Sequence, residues 1–413
     1  MSVLNILLVC DSASSHFGGE AILPLNYFTY LSKTKNNVYL VTNGRVKKTL
    51  ENTPNINHDC IFYSPDTPIH QFLDKHSTLL PQRLSLITFG LASQMLSKFY
   101  QWRLAAKIIK KHNIDLIHEP APVSPVLPSA MFGLGVPVVI GPMNGGMAFP
   151  SAFTHMASFF EHYVYKLIRL FTSFFNIVLP GKMFADILLV ANERTKKALP
   201  RMRFGSVLQV IENGVFDAKD KPKPLTNKSI TNIIFVGRLV DWKAVDIIIE
   251  AVSLTKSAVI LTIVGDGPER LALEQYAISH AIKNVIFLGS IPHTDVNAHY
   301  DAADVFVLPS LRECGGAVVL EAMSRGLPVI ATNWGGPADY IVPDTGYLIE
   351  PKSRAFMVQE FARIIDLLAS QPNLRYAIGV AAIAHIKKNF LWENKVEHMI
   401  NIYQQAILNK AKI

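Results

Sequence analysis

Two glutamates eight residues apart, Glu313 and Glu321, flank a glycine pair in the segment PSLRECGGAVVLEAMSRGLPVIAT. The segment predicts a strand, a loop, a helix that opens at Gly315-Gly316, and a second strand. Glycines let a ligand approach the backbone closely, and the N-terminus of a helix attracts phosphate. Flanking carboxylates can accept hydrogen bonds from hydroxyl groups. The combination indicates a nucleotide sugar, although either glutamate alone is more simply explained as a solvated charge.

Two cations, Arg238 and Lys243, follow the apolar run 231–236. In parallel α/β sheets, ligands bind beyond the carboxyl ends of the strands, where this loop is expected. An arginine fork and a lysine ammonium can together neutralise a diphosphate, and a pair of solvated charges is the simpler alternative. Turns at Gly265 and Ile291 follow neighbouring predicted strands and could offer backbone contacts to a nucleobase.

The first half of the chain carries weaker signals. Gly18-Gly19 follow the first apolar run and could approach a phosphate, although an ordinary turn explains a glycine pair equally well. His118 ends another predicted strand. It could orient or deprotonate an acceptor hydroxyl, but a lone histidine in this position is more often a hydrogen-bonded structural residue. The GPMNGG segment, 141–146, is interpreted as an acceptor-side feature or as one particular to a subfamily.

The composition predicts large folded domains. The chain has 413 residues, half of them hydrophobic and 17% charged, which excludes a disordered chain. Three widely spaced cysteines form no metal or disulfide pattern, and the N-terminal VLNILLVC predicts a core strand and no signal peptide. These features favour a reducing cytoplasm. The net charge of +8 suits phosphorylated ligands or anionic membranes, and no motif supports nucleic-acid binding.

Apolar runs alternate with helical patterns, which is typical of parallel sheets built from βαβ units. The predicted strands are 3–9, 38–42, 115–118, 137–141, 186–190, 231–236, 258–264, 284–288, 304–308 and 328–332. The polar segment 217–229 contains two prolines and is predicted to link two Rossmann-like halves. A final helix is predicted at about 391–409.

Residues 150–180 are rich in aromatic side chains, with Lys166 and Arg169 interspersed. These charges make the segment a poor membrane span. An aromatic, basic helix could lie on a membrane surface as a peripheral contact, and packing between helices is the more frequent explanation. The apolar and basic stretch 79–112 adds weight to the membrane hypothesis.

The second half of the chain resembles the retaining GT-B glycosyltransferases of glycosyltransferase family 4, in the glycosyl transferases group 1. The matching pieces are GRLVDWK, VGDGP, ADVFVLPS, EAMSRGLPVIAT and the Glu-x7-Glu spacing, and they cover nearly all of residues 208–409. In the first half the similarity is limited to the early glycine pair, the sequence HEP after a strand, and ADILLVANERTKKAL.

The resemblance implies an α/β GT-B fold in which two Rossmann-like domains face each other across a deep interdomain cleft. It implies an acceptor-side domain at 1–207, a nucleotide-sugar-binding domain at 208–388 with the linker at about 217–229, and a C-terminal helix at 389–413 that crosses back to the first domain. The expected activity is metal-independent, retaining transfer of a hexose, without a cofactor, from a nucleoside diphosphate sugar. UDP is favoured over GDP.

The expected acceptor is a hydroxyl of a glycan or lipid-linked molecule in cell-surface polysaccharide synthesis. The expected location is the cytoplasm, and the inner face of the cytoplasmic membrane is a second possible location. Two alternatives stay open: a catalytically silent, glycosyltransferase-like binding or scaffold subunit, and a GT-B sugar-nucleotide epimerase.

The resemblance also implies residue roles. Arg238 and Lys243 would bind the diphosphate, Glu313 the sugar and Glu321 the ribose, while His118 would face the sugar or the acceptor. Further donor-side positions are Gly18, Gly19, Gly237, Gly265, Ile291, Gly315, Gly316, Ala317 and Val318, and acceptor-side candidates are Glu119, Asn144 and Gly145. Cys314 and Gly315 stand where the family commonly has glycine and an aromatic residue, so sugar specificity does not transfer.

Overall fold

A computed structural model describes residues 3–14, 19–77, 89–156, 174–224 and 229–411. These residues divide into two compact units. Unit 1 comprises the described residues of 3–146, 174–212 and 395–411, and unit 2 comprises those of 147–156, 213–224 and 229–394. Each unit contains one parallel sheet, which confirms the prediction of two Rossmann-like halves.

The sheet of unit 1 has seven strands in the order β3-β2-β1-β4-β5-β6-β7. Their bounds are Asn5–Val9 (β1), Asn37–Asn43 (β2), Ile61–Ser64 (β3), Leu116–Glu119 (β4), Val138–Met143 (β5), Ile187–Val190 (β6) and Ser206–Gln209 (β7). Strands β4, β5 and β6 are buried along their whole length. Strands buried along their whole length are expected in a parallel sheet that helices cover on both faces.

The α-helices of unit 1 precede or follow these strands. Their bounds are Gly19–Leu31, Lys47–Glu51, Pro68–Ser77, Leu91–His112, Gly181–Phe184 and Glu193–Ala198. The longest, Leu91–His112, packs Ala105 and Ile108 against the sheet core at Leu7 and Ile117. It ends at Asn113, which adopts the left-handed conformation (φ 48°) that commonly stops a helix.

The sheet of unit 2 has six strands in the order β10-β9-β8-β11-β12-β13. Their bounds are Thr231–Val236 (β8), Val259–Val264 (β9), Val285–Gly289 (β10), Val305–Leu308 (β11), Val329–Thr332 (β12) and Gly346–Ile349 (β13). The α-helices are Val245–Leu254, Arg270–Ser279, His293–Ala302, Ala317–Ser324, Gly336–Tyr340, Arg354–Ser370 and Pro372–Asn389. A last helix, Trp392–Lys410, begins in unit 2 and continues in unit 1, and it confirms the helix predicted at 391–409.

Every strand predicted from the sequence is present, within two residues of its predicted limits. Three strands were missed, β3, β7 and β13, and each lies at the edge of its sheet. All three have four residues and are partly exposed, so they lack the continuous apolar run that marks the central strands.

The chain passes from unit 1 to unit 2 after Glu212, which precedes the predicted linker at 217–229. The described part of that segment already packs on unit 2. The backbone N–H of Lys219 donates to the Ser324 carbonyl at 2.9 Å, and its ammonium pairs with Asp301 at 2.7 Å. The domain limits at 207/208 and 388/389 stay predictions.

Most of the aromatic segment 150–180 lies outside the described residues, which end at 156 and resume at 174. Residues 79–88 of the second apolar and basic stretch, 79–112, also lie outside the described residues. Among the helices in the described part of the chain, none combines the length and apolar character needed to span a bilayer.

Candidate functional site

The chain order of unit 2 changes direction between β8 and β11. From β8 the chain adds β9 and β10 on one side, and β11, β12 and β13 lie on the other. Open parallel sheets bind ligands at such a switch point, beyond the carboxyl ends of the strands. The loop that leaves β8 carries Arg238 and Lys243. The loop that leaves β11 carries Glu313 and Gly316. The topology therefore brings the predicted diphosphate and sugar residues to one edge.

The loops after β8, β9 and β10 pack backbone against backbone. A Cβ on Gly265 would lie 2.0 Å from the Gly237 carbonyl oxygen, so this contact requires glycine. The Gly265 N–H donates to the Gly289 carbonyl at 2.8 Å. The predicted donor positions Gly237 and Gly265 are thus adjacent, and Ile291 follows in the loop that leaves β10.

Lys243 and Glu313 form an ion pair between the loops after β8 and β11. Their side chains are 13% and 15% exposed, so both charges are largely withdrawn from water. Ser310 Oγ donates to the same carboxylate oxygen of Glu313 at 3.4 Å. Arg238 lies on the same loop as Lys243 and is exposed. The pair joins the predicted phosphate-binding and sugar-binding residues directly.

The helix Ala317–Ser324 begins directly after this loop. Its N-cap is Gly316 in the left-handed conformation (φ 79°, ψ 52°), which favours glycine. The first N–H groups of a helix have no acceptor within the helix and point outward with the positive end of the dipole. Gly315, Gly316, Ala317 and Val318 are all partly exposed, so the backbone here can receive an anion.

Glu321 lies on this helix and is oriented by a neighbouring one, His293–Ala302. The buried Tyr300 hydroxyl donates to Glu321 Oε2 at 3.1 Å, and His293 Nε2 lies 3.8 Å from Oε1. The hydrogen bond with Glu321 raises the pKa of His293, and burial together with the Glu321 charge raises the pKa of Tyr300. The sequence prediction missed both partners, because they lie more than 20 residues away from Glu321.

His118, predicted to contact sugar or acceptor, has no exposed surface in unit 1. Its Nε2 lies 2.6 Å from the Gly141 carbonyl and its Nδ1 lies 2.7 Å from the Tyr403 hydroxyl. Burial lowers its pKa to about 4, so the ring is neutral near pH 7. The Gly141 carbonyl can only accept, which assigns the proton to Nε2. These contacts favour the structural interpretation of His118 over the catalytic one.

The acceptor-side candidates are also engaged within unit 1. Glu119 is 2% exposed, pairs with Lys98 at 3.1 Å and accepts a hydrogen bond from Ser129. Asn144 is 6% exposed and donates to Glu212 at 2.7 Å. Both side chains are almost completely buried and hydrogen-bonded inside unit 1, and their contact with an acceptor stays a prediction.

The other unit 1 candidates are glycines. Gly145 is half-buried, its N–H donates to Thr195 Oγ1 at 3.0 Å, and its contact with an acceptor stays a prediction. Gly19 begins the helix Gly19–Leu31, and Gly18 lies outside the described residues. Within the described ranges, no three His, Cys, Asp or Glu side chains are grouped so that they could hold a metal ion.

Residues 216–385 match the family described as glycosyl transferases group 1. A GDP-mannose-dependent monoacylated alpha-(1-6)-phosphatidylinositol monomannoside mannosyltransferase from Corynebacterium glutamicum is 33% identical over 178 residues. That similarity covers 41% of this chain and 45% of the relative, so the chain spans about half the length of the curated relatives that it matches.

Two solved structures resemble the whole chain. A glycosyltransferase from Rickettsia africae has a TM-score of 0.64 and 16% identity and covers 98% of this chain and 99% of its own. HepE from Anabaena in complex with UDP has a TM-score of 0.64 and 18% identity and covers 97% of this chain and 100% of its own. These similarities, with the two parallel sheets, give the chain the GT-B fold of glycosyltransferases.

The structural role of His118 makes a prediction about stability. In His118→Gln, loss of the bonds to Gly141 and Tyr403 should lower the free energy of unfolding by about 1–3 kcal/mol at pH 7. The stability that neutral His118 confers is complete above its unfolded pKa of 6.5 and is lost as the pH falls toward 4. The difference between wild type and variant should therefore shrink between pH 7 and pH 5.

Urea-induced unfolding at pH 7 and pH 5 measures this difference. His280→Gln, at an exposed histidine of unit 2, is the control and should cost little stability at either pH. A wild-type advantage over His118→Gln that is the same at both pH values would contradict a buried, neutral His118.

Proposed function

We propose that this chain is a retaining hexosyltransferase that uses a nucleoside diphosphate sugar. The observation that carries the proposal is the cluster at the carboxyl edge of the unit 2 sheet. It combines two cations, a helix N-terminus entered through Gly316, and two carboxylates, Glu313 and Glu321. Arg238, Lys243 and the helix N-terminus suit the diphosphate, Glu313 suits sugar hydroxyls, and Glu321 suits the ribose.

The chemical step is proposed as a front-face substitution. The acceptor oxygen bonds to the anomeric carbon while the bond from that carbon to the phosphate oxygen breaks, and the departing phosphate oxygen takes the acceptor proton. Negative charge then grows on the diphosphate, where Arg238, Lys243 and the helix N-terminus stabilise it without a metal ion. Glu313 serves binding and is itself paired with Lys243, which argues against a glycosidase-like nucleophile.

UDP is proposed as the nucleotide, with support from the HepE complex with UDP. The Corynebacterium relative is named for GDP-mannose, so GDP is the alternative that a binding experiment must separate. The same relative acts on a phosphatidylinositol mannoside, which supports a glycan or lipid-linked acceptor in cell-surface synthesis. We also propose that the protein acts in the cytoplasm, including at the inner face of the cytoplasmic membrane.

A catalytically silent subunit and a sugar-nucleotide epimerase are the competing functions. The presence of the complete residue set argues against a silent protein: Arg238, Lys243, Glu313 and Glu321. Release of nucleoside diphosphate from the sugar nucleotide separates all three functions. A transferase releases it slowly by hydrolysis, a silent protein does not release it, and an epimerase converts the sugar.

The proposal predicts selective binding of nucleotides. UDP and UDP-glucose should raise the thermal midpoint of the protein, and GDP and GDP-mannose should do so less. A ligand at 100 times its dissociation constant adds about 2.7 kcal/mol to the free energy of unfolding. Thermal melts with each compound, followed by calorimetry, measure this. A chain that binds none of the four would refute a sugar-nucleotide enzyme.

Lys243→Ala should lower donor turnover by about 100- to 1,000-fold, because a fixed charge at the leaving group is lost. The assay is release of nucleoside diphosphate from the donor that wild type binds. Lys387→Ala is the matched control, since Lys387 also forms an ion pair in unit 2, with Asp220 at 2.7 Å. Near-normal turnover by folded Lys243→Ala would remove Lys243 from the diphosphate site.

Tyr300→Phe should weaken nucleoside diphosphate binding several-fold, because Glu321 loses the hydroxyl that orients it. Glu321→Ala should weaken it further. The matched control is Tyr276→Phe, which removes a tyrosine hydroxyl 3.0 Å from another carboxylate of unit 2, that of Glu250. Calorimetry with UDP and GDP tests this, and unchanged affinity in Glu321→Ala would contradict the ribose assignment.

A further inference from the structure

We propose that the 147–156 segment is a positioning element for Glu313 and determines how the sugar half of the donor is bound. The segment follows GPMNGG in the sequence but packs on unit 2. The inference rests on the proposed donor site and adds to it a specificity-determining element that is distant in sequence. The contacts form a chain from the segment, through the loop after β12, to the loop that carries Glu313.

The loop after β12 is fixed directly to the Glu313 loop. The Gly336 N–H donates to the Glu313 carbonyl at 2.8 Å. A Cβ on Gly335 would lie 2.1 Å from that same oxygen, and a Cβ on Gly336 would lie 1.8 Å from the Gly315 carbonyl. Because the two backbones touch with no side chain between them, a displacement of one loop must displace the other.

The 147–156 segment holds the other side of this connection. Trp334 Nε1 donates to the Ala148 carbonyl at 2.9 Å. The Met147 methyl group lies 2.3 Å from the position that a Cβ on Gly335 would take. Gly335 therefore contacts both the Met147 thioether and the Glu313 carbonyl. Met147 adds an apolar, polarisable side chain beside a loop whose own Cys314 and Gly315 are small.

A second contact of the segment reaches the residue that precedes Glu313. The Phe149 ring is buried, and its centroid lies 5.6 Å from the guanidinium carbon of Arg312. A guanidinium at this distance from an aromatic ring is attracted to it. Phe153, also buried, lies in the following helical turn, Ser151–Met156. The segment thus supports the Glu313 loop at Arg312 and, through Gly335, at Glu313 itself.

The nucleoside end of the site has a separate support. Glu321 is oriented by Tyr300 and His293, which lie on the helix His293–Ala302. A change in the 147–156 segment should therefore affect contacts with the sugar and leave contacts with the nucleoside in place. This separation distinguishes a positioning role from a general contribution to the stability of unit 2.

The test compares Trp334→Phe and Met147→Ala with wild type. Trp334→Phe keeps an aromatic ring but removes the donor to Ala148 and part of the side-chain volume. Its matched control is Trp102→Phe in unit 1, because Trp102 Nε1 also donates to a backbone carbonyl, that of Phe132, at 3.0 Å. Met147→Leu keeps the apolar volume and should behave like wild type.

The probes are UDP and UDP-glucose, with GDP and GDP-mannose measured in parallel. For both test variants we expect the KM for the sugar nucleotide to rise about fivefold or more, and the Kd of the matching nucleoside diphosphate to rise by a smaller factor, because its nucleoside is held separately at Glu321. Trp102→Phe should change neither value. Melting curves confirm that each variant is folded.

An unchanged KM in both variants would overturn the positioning role, and so would equal weakening of the nucleoside diphosphate and its sugar conjugate. Either result would leave the proposed function intact, since wild type would still bind and hydrolyse its donor. Wild-type protein that binds none of the four compounds would instead refute the proposed function, and the positioning role with it.

Discussion

The ion pair between Lys243 and Glu313 is the interaction on which the proposed donor site of unit 2 depends. It connects the loops after β8 and β11, the two strands that flank the switch point of the sheet. Both side chains are largely buried, so removing either one would leave the other as a costly unpaired charge. In the proposed complex, the diphosphate would replace Glu313 as the partner of Lys243, and a sugar hydroxyl would replace Lys243 as the partner of Glu313. The site can therefore be ordered before the donor arrives.

The central strands could be predicted from the sequence because burial on both faces leaves continuous apolar runs such as β6, Ile187–Val190. The edge strands could not. β7, Ser206–Gln209, is exposed at both ends and half-buried between them, so its pattern resembles that of a loop. Its position is set by backbone pairing with β6, and backbone hydrogen bonds do not require particular side chains in either strand.

The site was predictable where function and local structure share a segment. The sequence predicted a helix that opens at Gly315-Gly316, and the helix Ala317–Ser324 has Gly316 as its N-cap. The groups that orient these carboxylates were not predictable, because they come from other elements. Tyr300 precedes Glu321 by a strand and a loop, and Ala148 meets Trp334 across 186 residues. Such partners are selected by packing in three dimensions.

His118 shows the opposite limit of motif reasoning. A histidine at a strand end suggested acid–base chemistry, yet both of its nitrogens are bonded inside unit 1 and its pKa is lowered to about 4 by burial. The bond to Tyr403 ties β4 to the final helix, Trp392–Lys410, so these contacts favour a structural role for His118. In unit 1 the polar groups at these strand ends satisfy one another, whereas in unit 2 Arg238 is exposed and the start of the helix Ala317–Ser324 is partly exposed, so both can receive an anion. This contrast supports the proposal that the diphosphate binds to unit 2.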